Sequence, residues 1–393
     1  MRPMEPVYLD HNATTPPLPQ VISAVTDALN RAWANPSSVH RAGQEVRRRI
    51  ELARSQISEL VGCRDRELIF TSGATEANNL ALRGLVDLRD SPNHPRKRII
   101  TSTIEHAAIR EPCDELERLG YQVRRLPAGQ DGLVDIEQLD GLLAEHGDEI
   151  ALVSIHWANN ETGVIQPIER IGRACRDAGV PFHTDGTQAV GKLPINLAEL
   201  PIDAMSLSAH KFHGPKGIGA LYVRSRLRLR PQTLGGPQER ERRGGTENAP
   251  GIIGMGVAAH LADQWLADEG PCKLSIMRDR FEQAVLAAVE GASVNAGDAP
   301  RMCNTTNLAF PPLEAEAILI MLSERGVYAS AGAACSSGSL EPSPVLLAMG
   351  VGEPAAHGSI RISLSRLTTD GELDRAIQVV PEVIAKLRTS MPV

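Results

Sequence analysis

The sequence lacks the features that would place it in a membrane, outside the cell or on nucleic acid. No apolar run approaches the roughly 18 residues that span a bilayer. The segment from Met1 to Asp10 has neither an apolar core nor a small-residue cleavage site, so we expect no cleaved leader. Basic residues form only short clusters such as Arg47–Arg49 within a formal net charge of −7, and we expect no nucleic-acid partner.

Paired cysteines are also missing. The six cysteines stand at positions 63, 113, 175, 272, 303 and 335, and none forms a C-x-x-C pair, which argues against a zinc site or a dithiol redox site. Scattered thiols suit a reducing compartment, so the sequence predicts a cytoplasmic protein.

The remaining pattern is that of a packed protein with one large and one smaller domain. The 393 residues are 42% hydrophobic and 23% charged, and they contain no internal repeat. Strand and helix patterns alternate from about 20 to 260, which predicts an α/β domain with a mainly parallel sheet covered by helices. Its predicted strands are 68–70, 98–101, 151–155, 204–208 and 218–223, with helices that include 44–61 and 167–179.

The pattern changes after about residue 265 and indicates a smaller α+β domain. Its predicted helices are 274–289, 314–325 and 370–387, and its predicted strands are 307–310, 326–330 and 359–364. We therefore expect a large domain over 17–262, and a small domain formed by 1–16 together with 263–393.

Polar clusters follow several predicted strands, where ligands of open α/β sheets bind. In the stretch Thr71–Glu76, a small-residue turn joins a strand to a helix. The amides of Ala74 and Thr75, with the Thr75 hydroxyl, could hold a phosphate there. Taken alone, the same residues fit an ordinary helix cap better.

Asp185 follows the short segment 180–182. A carboxylate at a strand end can pair with a pyridinium nitrogen and keep it protonated, which makes the ring an electron sink. Two alternatives stay open at this position: a helix cap by Asp185, or a metal pair with His183.

Lys211 lies after the predicted strand 204–208, among apolar and small residues. Such surroundings disfavour an ammonium, and a lysine of that kind can form a Schiff base. Its neighbours His210 and His213 are also compatible with a metal pair, or with histidines that only make hydrogen bonds.

Two further clusters follow strands. His106 could stack on a flat cofactor and relay protons, although a single histidine is often structural. Asn159 and Asn160 suit hydrogen bonding to a ring oxygen or a carboxylate, and they suit a tight turn equally.

The last cluster is the stretch 329–339, which contains Cys335 and has two glycines and no bulky side chain. A cysteine in such a polar loop is expected to be exposed and available as a nucleophile, unless the loop is only a linker. Together the six clusters predict a Schiff-base lysine, a carboxylate for a ring nitrogen, a phosphate cup and a reactive thiol.

These residues resemble the NifS/IscS (group I) cysteine desulfurases, which are pyridoxal-phosphate (PLP) enzymes of fold type I in the class V aminotransferase-like family. The similarity runs from Tyr8 to about Thr369, and Gly338 is more similar to the NifS branch than to the IscS branch. It rests on the stretches 8–15, 35–40, 157–163, 242–248, 335–343 and 361–366. The resemblance implies a seven-stranded-type sheet with helices on both faces and a catalytic loop over about 329–342.

The resemblance also implies a role for each matching residue. Catalysis would fall to Lys211, Cys335 and His106: the lysine binds PLP covalently and moves the Cα proton, the thiolate receives the sulfur of L-cysteine, and the imidazole stacks on the ring. The cofactor-binding residues would be Ala74, Thr75, His106, Asn160, Asp185, Gln188, Ser208, His210 and Lys211, with Thr246 from the other subunit. The substrate-binding residues would be Asn35, Asn160 and Arg361.

The implied reaction converts L-cysteine to L-alanine and leaves a persulfide on Cys335. The resemblance implies a homodimer and a NifU/IscU-like iron–sulfur scaffold as sulfur acceptor. It also makes Cys335 a candidate metal ligand, through its persulfide to a cluster shared with that scaffold. The pathway, whether nitrogenase maturation, general iron–sulfur assembly or tRNA, stays open. The chain departs from the family's pattern at Ala331, Ala333 and Pro344, which concerns the loop and scaffold docking.

Three alternatives remain at this point. Two are other PLP enzymes, a selenocysteine lyase and an aminotransferase. The third is a non-catalytic sulfur-carrier or scaffold-binding module.

Overall fold

The computed structural model describes residues 6–91, 94–332 and 341–390. Its strands are β1 (Val7–Tyr8), β2 (Leu68–Thr71), β3 (Asp90–Ser91), β4 (His94–Pro95), β5 (Arg98–Ser102), β6 (Gln122–Leu126), β7 (Ile150–Ser154), β8 (Phe182–Asp185), β9 (Ala204–Ser208), β10 (Gly219–Val223), β11 (Ser293–Val294), β12 (Thr305–Ala309), β13 (Val327–Tyr328) and β14 (Ser359–Ser363). Its helices are α1 (Pro19–Arg31), α2 (Arg41–Val61), α3 (Ala74–Arg89), α4 (Ala107–Arg118), α5 (Ile136–His146), α6 (Ile168–Asp177), α7 (Gln238–Glu241), α8 (Ala249–Ala267), α9 (Gly270–Ala288), α10 (Ala315–Glu324), α11 (Pro344–Ala348), α12 (Glu353–His357) and α13 (Asp370–Ser390).

The central sheet has seven strands in the order β2-β10-β9-β8-β7-β5-β6. All neighbours pair in parallel except β10, which is antiparallel to both β2 and β9. The prediction of a mainly parallel, seven-stranded α/β sheet is confirmed.

Helices cover both faces of this sheet because successive strand residues point to opposite sides. Ile69 and Leu152 enter a core with α3 and α4, whereas Phe70 and Val153 enter a larger core with α2 and α8. The inner strands are therefore apolar on both faces, which explains why they read as short continuous hydrophobic runs.

A second core lies between the three-stranded sheet β11-β12-β14, the pair β1-β13 and the helices α9, α10 and α13. It draws on Val7 and Leu9 and then on residues between Leu274 and Ile384. This composition supports the division into 17–262 and a small domain of 1–16 with 263–393, which stays a prediction. One departure is that α11 and α12 contribute Val345, Leu346 and Ala356 to the large core.

The bounds of single elements differ modestly from those predicted. The helix predicted from 44 begins at Arg41, because the His40 side chain accepts a hydrogen bond from the Gly43 amide and caps it. The strand predicted over 326–330 is only Val327–Tyr328. Within the described residues no helix is both long and apolar enough to cross a membrane.

Candidate active site

Polar side chains gather at the carboxyl-terminal edge of the central sheet. The parallel strands β2, β5, β7, β8 and β9 end at this edge, and each is followed by a turn that carries predicted site residues. The strand order alone therefore brings five of the six polar clusters to one side of the sheet, all except the stretch 329–339.

The turn after β2 is tightly fitted against β9 and β10. A Cβ on Gly219 would lie 2.8 Å from the backbone of Gly73, so only glycine lets β10 pass this turn. The Ser208 Oγ lies 3.8 Å from the position of a Cβ on Gly73, which puts this hydroxyl beside the point where α3 begins at Ala74. The N-terminus of a helix next to a hydroxyl is a suitable environment for an anion.

Asp185 ends β8 and is almost fully buried. Its Oδ2 accepts a hydrogen bond of 2.7 Å from the Asn78 Nδ2, and its Oδ1 accepts one of 2.9 Å from the Thr187 amide. The second contact closes a local turn and is not the helix cap that was the alternative, since turns and no helix follow β8. The first comes from α3 and holds the carboxylate in a fixed orientation at the sheet edge.

His106 is the N-cap of α4 and accepts a hydrogen bond of 3.0 Å from the Ala108 amide through its Nδ1. Burial lowers the pKa of His106, the Lys211 charge adds to this, and the Asp185 charge opposes it. A ring whose Nδ1 accepts a hydrogen bond is neutral, with its proton on Nε2. The imidazole is thus a neutral planar group within the electrostatic reach of both Asp185 and Lys211.

Lys211 is the last residue of a short 3₁₀ helix, Ala209–Lys211, which follows β9. Its Nζ donates hydrogen bonds to the carbonyls of Asn12, at 2.5 Å, and Ala13, at 2.9 Å. The adjacent His210 shares a hydrogen bond of 3.1 Å with the Thr14 hydroxyl. Burial and nearby lysine charges lower the pKa of His210 to about 4, so this ring is neutral at pH 7.

Arg361 lies in β14, and only 1% of it is exposed. Its Nη2 donates to the Asp10 carboxylate at 2.5 Å, and its Nη1 donates to the carbonyls of Asn160 and Gly332, each at 3.0 Å. The buried Nε has no hydrogen-bond partner among the described residues. A buried guanidinium with an unsatisfied N–H is suited to receive a carboxylate oxygen.

Not every predicted site residue lies with the others at the carboxyl-terminal edge of the central sheet. Gln188 does, since its Nε2 donates to the Asn12 carbonyl at 3.0 Å. Asn35 and Thr246 are exposed in the loops that precede α2 and α8, and Asn35 accepts a hydrogen bond from the Ser37 amide. Cys335 lies outside the described residues, as do Ala333 and Gly338.

The metal alternatives receive no support in the described part of the chain, which contains no group of three or more His, Cys, Asp or Glu that could hold an ion. The His183 ring lies between the hydroxyls of Ser154, at 2.9 Å, and Ser206, at 3.0 Å, so both ring nitrogens are occupied. His213 bonds to the Pro16 carbonyl. Asn159 forms the tight turn that was its alternative, accepting from the Glu161 and Thr162 amides.

Three residues of the site received no role from the sequence. Asn12 supplies the carbonyl that Gln188 and Lys211 share, Asn78 orients Asp185, and Lys192 is buried against Gln188. The sequence around Lys192 gives no sign of its burial, since a lysine after a glycine equally suits an exposed turn. Asn78 carries no signal either, because a polar residue within a helix pattern ordinarily faces solvent.

The fold and this polar edge define an enzyme of the fold-type I transferase class. The chain belongs to the class-V aminotransferase family, which matches residues 7–376. It is 47% identical over 389 residues to cysteine desulfurase 2 of Trichormus variabilis, covering 99% of this chain and 96% of that one. It is 45% identical over 390 residues to the cysteine desulfurase NifS of Azotobacter vinelandii, covering 99% and 95%.

A solved structure described as a NifS-like protein is 34% identical and superimposes with a TM-score of 0.89, covering 97% of this chain and all of the other. The resemblance to NifS-type cysteine desulfurases that the motifs predict is therefore confirmed.

Proposed function

We propose that the protein is a cysteine desulfurase, which removes the sulfur of L-cysteine and releases L-alanine. The observation that carries this proposal is the arrangement at the sheet edge: a lysine, a fixed carboxylate and a neutral imidazole beside a buried arginine with an unsatisfied N–H. Two relatives that are 45–47% identical to this chain over nearly their whole length are named cysteine desulfurases.

The residues present fit PLP. The Ser208 hydroxyl and the first turn of α3, with Ala74 and Thr75, suit its phosphate. Neutral His210 can donate a hydrogen bond there without being charged. When bound, the cofactor supplies an electron sink for the substrate Cα, and its ring nitrogen needs a carboxylate such as Asp185.

The remaining cofactor contacts follow from the same edge. Lys211 would hold the cofactor covalently, and the neutral His106 ring would stack on it. Gln188 and Asn160 would lie near the ring hydroxyl.

The chain's own residues account for the steps before sulfur transfer. The Arg361 guanidinium holds the substrate carboxylate through its unsatisfied Nε, with Asn160, whose carbonyl it already contacts, beside it. The resemblance adds Asn35 as a further substrate contact, although on this chain it lies exposed, away from the other residues of the site. The Lys211 amine removes the Cα proton of the substrate and returns a proton to the product.

Sulfur transfer needs a thiolate, which we assign to Cys335. Its sulfur attacks the sulfur of cysteine; one S–S bond forms and the substrate C–S bond breaks. The electron pair of that bond stays on Cβ, which is reduced and takes a proton, while the transferred sulfur is oxidised to the outer atom of a persulfide. L-Cysteine and one protein thiol thus give L-alanine and one protein persulfide, so the atoms balance.

The partners follow from the same assignment. Thr246 is exposed on this chain, as a residue that completes the phosphate site of a second subunit would be, and we infer a homodimer. A NifU/IscU-like iron–sulfur scaffold in the cytoplasm would take the sulfur, with nitrogenase maturation as one destination, and Cys335 is the residue through which a shared cluster would form.

The test replaces Cys335 with serine, and the exposed thiol of Cys272 serves as the matched control. Cys335→Ser should keep the cysteine-induced change in the cofactor spectrum but lose alanine release and the added sulfur seen by mass spectrometry. A hydroxyl cannot form a persulfide, whereas Cys272→Ser should behave as the parent. Normal turnover by Cys335→Ser would refute the assignment and leave a lyase that needs no protein thiol.

A further inference from the structure

Lys192 is the most unusual residue that the proposed reaction leaves without a role. It lies in the turns that follow β8 and is only 7% exposed. A lysine is almost never buried to this extent unless its amine has partners. Its Nζ donates to the Gln188 Oε1 at 2.9 Å and to the Gln188 carbonyl at 3.2 Å.

The contacts on its two sides settle which way the Gln188 amide faces. The Asn12 carbonyl can only accept a hydrogen bond, so the NH2 group of Gln188 faces Asn12, and the Gln188 oxygen faces the opposite side, where it accepts from the Lys192 amine. The NH2 group donates to the Asn12 carbonyl at 3.0 Å, and the same carbonyl accepts from the Lys211 Nζ. A continuous chain of hydrogen bonds therefore runs from Lys192 through Gln188 and Asn12 to Lys211.

A small cavity also connects the two lysines. It has a volume of about 20 Å³, enough for about one water, and both lysines line it together with His11 and His213.

We propose that Lys192 is a positioning residue, which fixes the Gln188 amide so that its NH2 group faces the bound ring, Asn12 and Lys211. This proposal rests on the proposed function, in which Gln188 lies near the ring hydroxyl. In this orientation the NH2 group can donate a hydrogen bond to the oxygen of the ring hydroxyl. If the amide were reversed, its own oxygen would face the ring oxygen, and two acceptors repel each other. Lys192 thereby acts on the cofactor without touching it.

The charges around Lys192 are consistent with this role. Burial lowers the pKa of Lys192 to about 7, the Lys211 charge adds to this and the Cys303 thiol opposes it, with Arg361 as a further lowering charge. His11 and His213 have lowered pKa values, chiefly through burial, and are neutral at pH 7. Coulomb interactions are mutual, so an ammonium at Lys192 also disfavours a proton on the nitrogen of Lys211.

The test compares Lys192→Met with Lys216→Met, which removes the same charge from an exposed position on the loop after Lys211. The readout is the pH at which the visible absorbance of lysine-bound PLP is half lost, together with bound cofactor, kcat and KM for cysteine. Lys192→Met should raise that midpoint by about one unit and lower kcat about tenfold at unchanged cofactor content. Lys216→Met should leave the midpoint in place.

A double-variant cycle tests the route through Gln188. In a Gln188→Leu background, Lys192→Met should cost little further kcat, because the amide that it orients is gone. If Lys192→Met does not fold, Gln188→Glu probes the contact from its other end: the ion pair with Lys192 forms, the NH2 donor is lost, and the midpoint should again rise.

An unmoved midpoint in both Lys192→Met and Gln188→Glu would overturn the proposal, as would a loss of activity that only follows the loss of folded protein. The spectral midpoint requires no turnover. A parent protein that binds PLP but releases no alanine would therefore contradict the proposed function alone, and the role of Lys192 would still be measured.

Discussion

Replacing Asp185 with asparagine should separate the charge of this residue from its structural contacts. Each carboxylate oxygen accepts one hydrogen bond, from the Asn78 Nδ2 at 2.7 Å and from the Thr187 amide at 2.9 Å. An asparagine can keep its oxygen towards Thr187, but its NH2 group then meets the NH2 group of Asn78. The Asn78 Oδ1 is buried and has no partner among the described residues, so a half-turn of that amide restores the contact.

The expected cost in stability is therefore small, about 1 kcal/mol, because the number of hydrogen bonds is unchanged: the Asn78 oxygen gains a donor, while its NH2 group moves to the position that had no partner. The cost in catalysis is large. A neutral amide does not hold a protonated ring nitrogen, and losing one such charge partner costs on the order of a hundredfold or more in kcat. Urea unfolding gives the first quantity, and kcat per bound cofactor gives the second.

Asn78→Leu supplies the control for this reasoning. With leucine at 78 the Asp185 carboxylate has already lost this donor. Asp185→Asn in that background replaces an unpaired buried charge with a neutral amide, so it should cost no more than in the parent. A cost of about 1–3 kcal/mol in the parent that disappears in the Asn78→Leu background would show that the two amides oppose each other, and would refute the proposed turn of Asn78. A near-parent kcat for Asp185→Asn would mean that another group protonates the ring.

The remaining predictions concern the lysine, the subunit interface and the buried histidines. Lys211→Ala should abolish the visible absorbance of lysine-bound cofactor and the activity while far-ultraviolet circular dichroism is kept; a variant that retains the absorbance would exclude Lys211 as the attachment point. Sedimentation should show a dimer, and Thr246→Ala should weaken cofactor binding, whereas an active, cofactor-saturated monomer would remove Thr246 from the site. Burial lowers the pKa values of His183 and His213 to about 4, below the unfolded value of about 6.5. Their contribution to stability is thus complete above pH 6.5 and is lost as the pH falls towards 4, by up to about 1.4 kcal/mol per pH unit for each histidine; a urea midpoint that is equal at pH 7 and pH 5 would contradict this.

Residues at strand ends were the part of the site that local sequence could predict. Asp185 and Lys211 each follow a short apolar run, and a parallel sheet places all such ends on one edge. This placement of strand ends on one edge follows from the alternation of strands and helices along the chain, so it can be predicted without knowing which strands are neighbours. It also explains why His106 could be assigned to the edge although its role as the cap of α4 was not foreseen.

Contacts between distant parts of the chain could not be predicted in this way. Gln188 and Asn12 are separated by 176 positions, and nothing in either local pattern indicates that they are bonded. Lys192 is similar: its burial is a property of the folded chain, since the small residues around it would equally suit an exposed turn. The geometry of Arg361 depends on strand pairing in the second core, and the sequence supplied its role only through the family resemblance.

The segment from Asp10 to Thr15 explains how residues from both cores come to share one site. On one side, the His11 amide donates to the Ser363 carbonyl, and Asp10 holds the Arg361 guanidinium. On the other side, the Thr15 amide and hydroxyl both donate to the His210 carbonyl, next to Lys211. These bonds leave the segment little freedom, so it fixes the guanidinium relative to the amine. A short N-terminal segment that belongs to neither core alone thus sets the position of the guanidinium that would hold the substrate carboxylate relative to the amine that would move the proton.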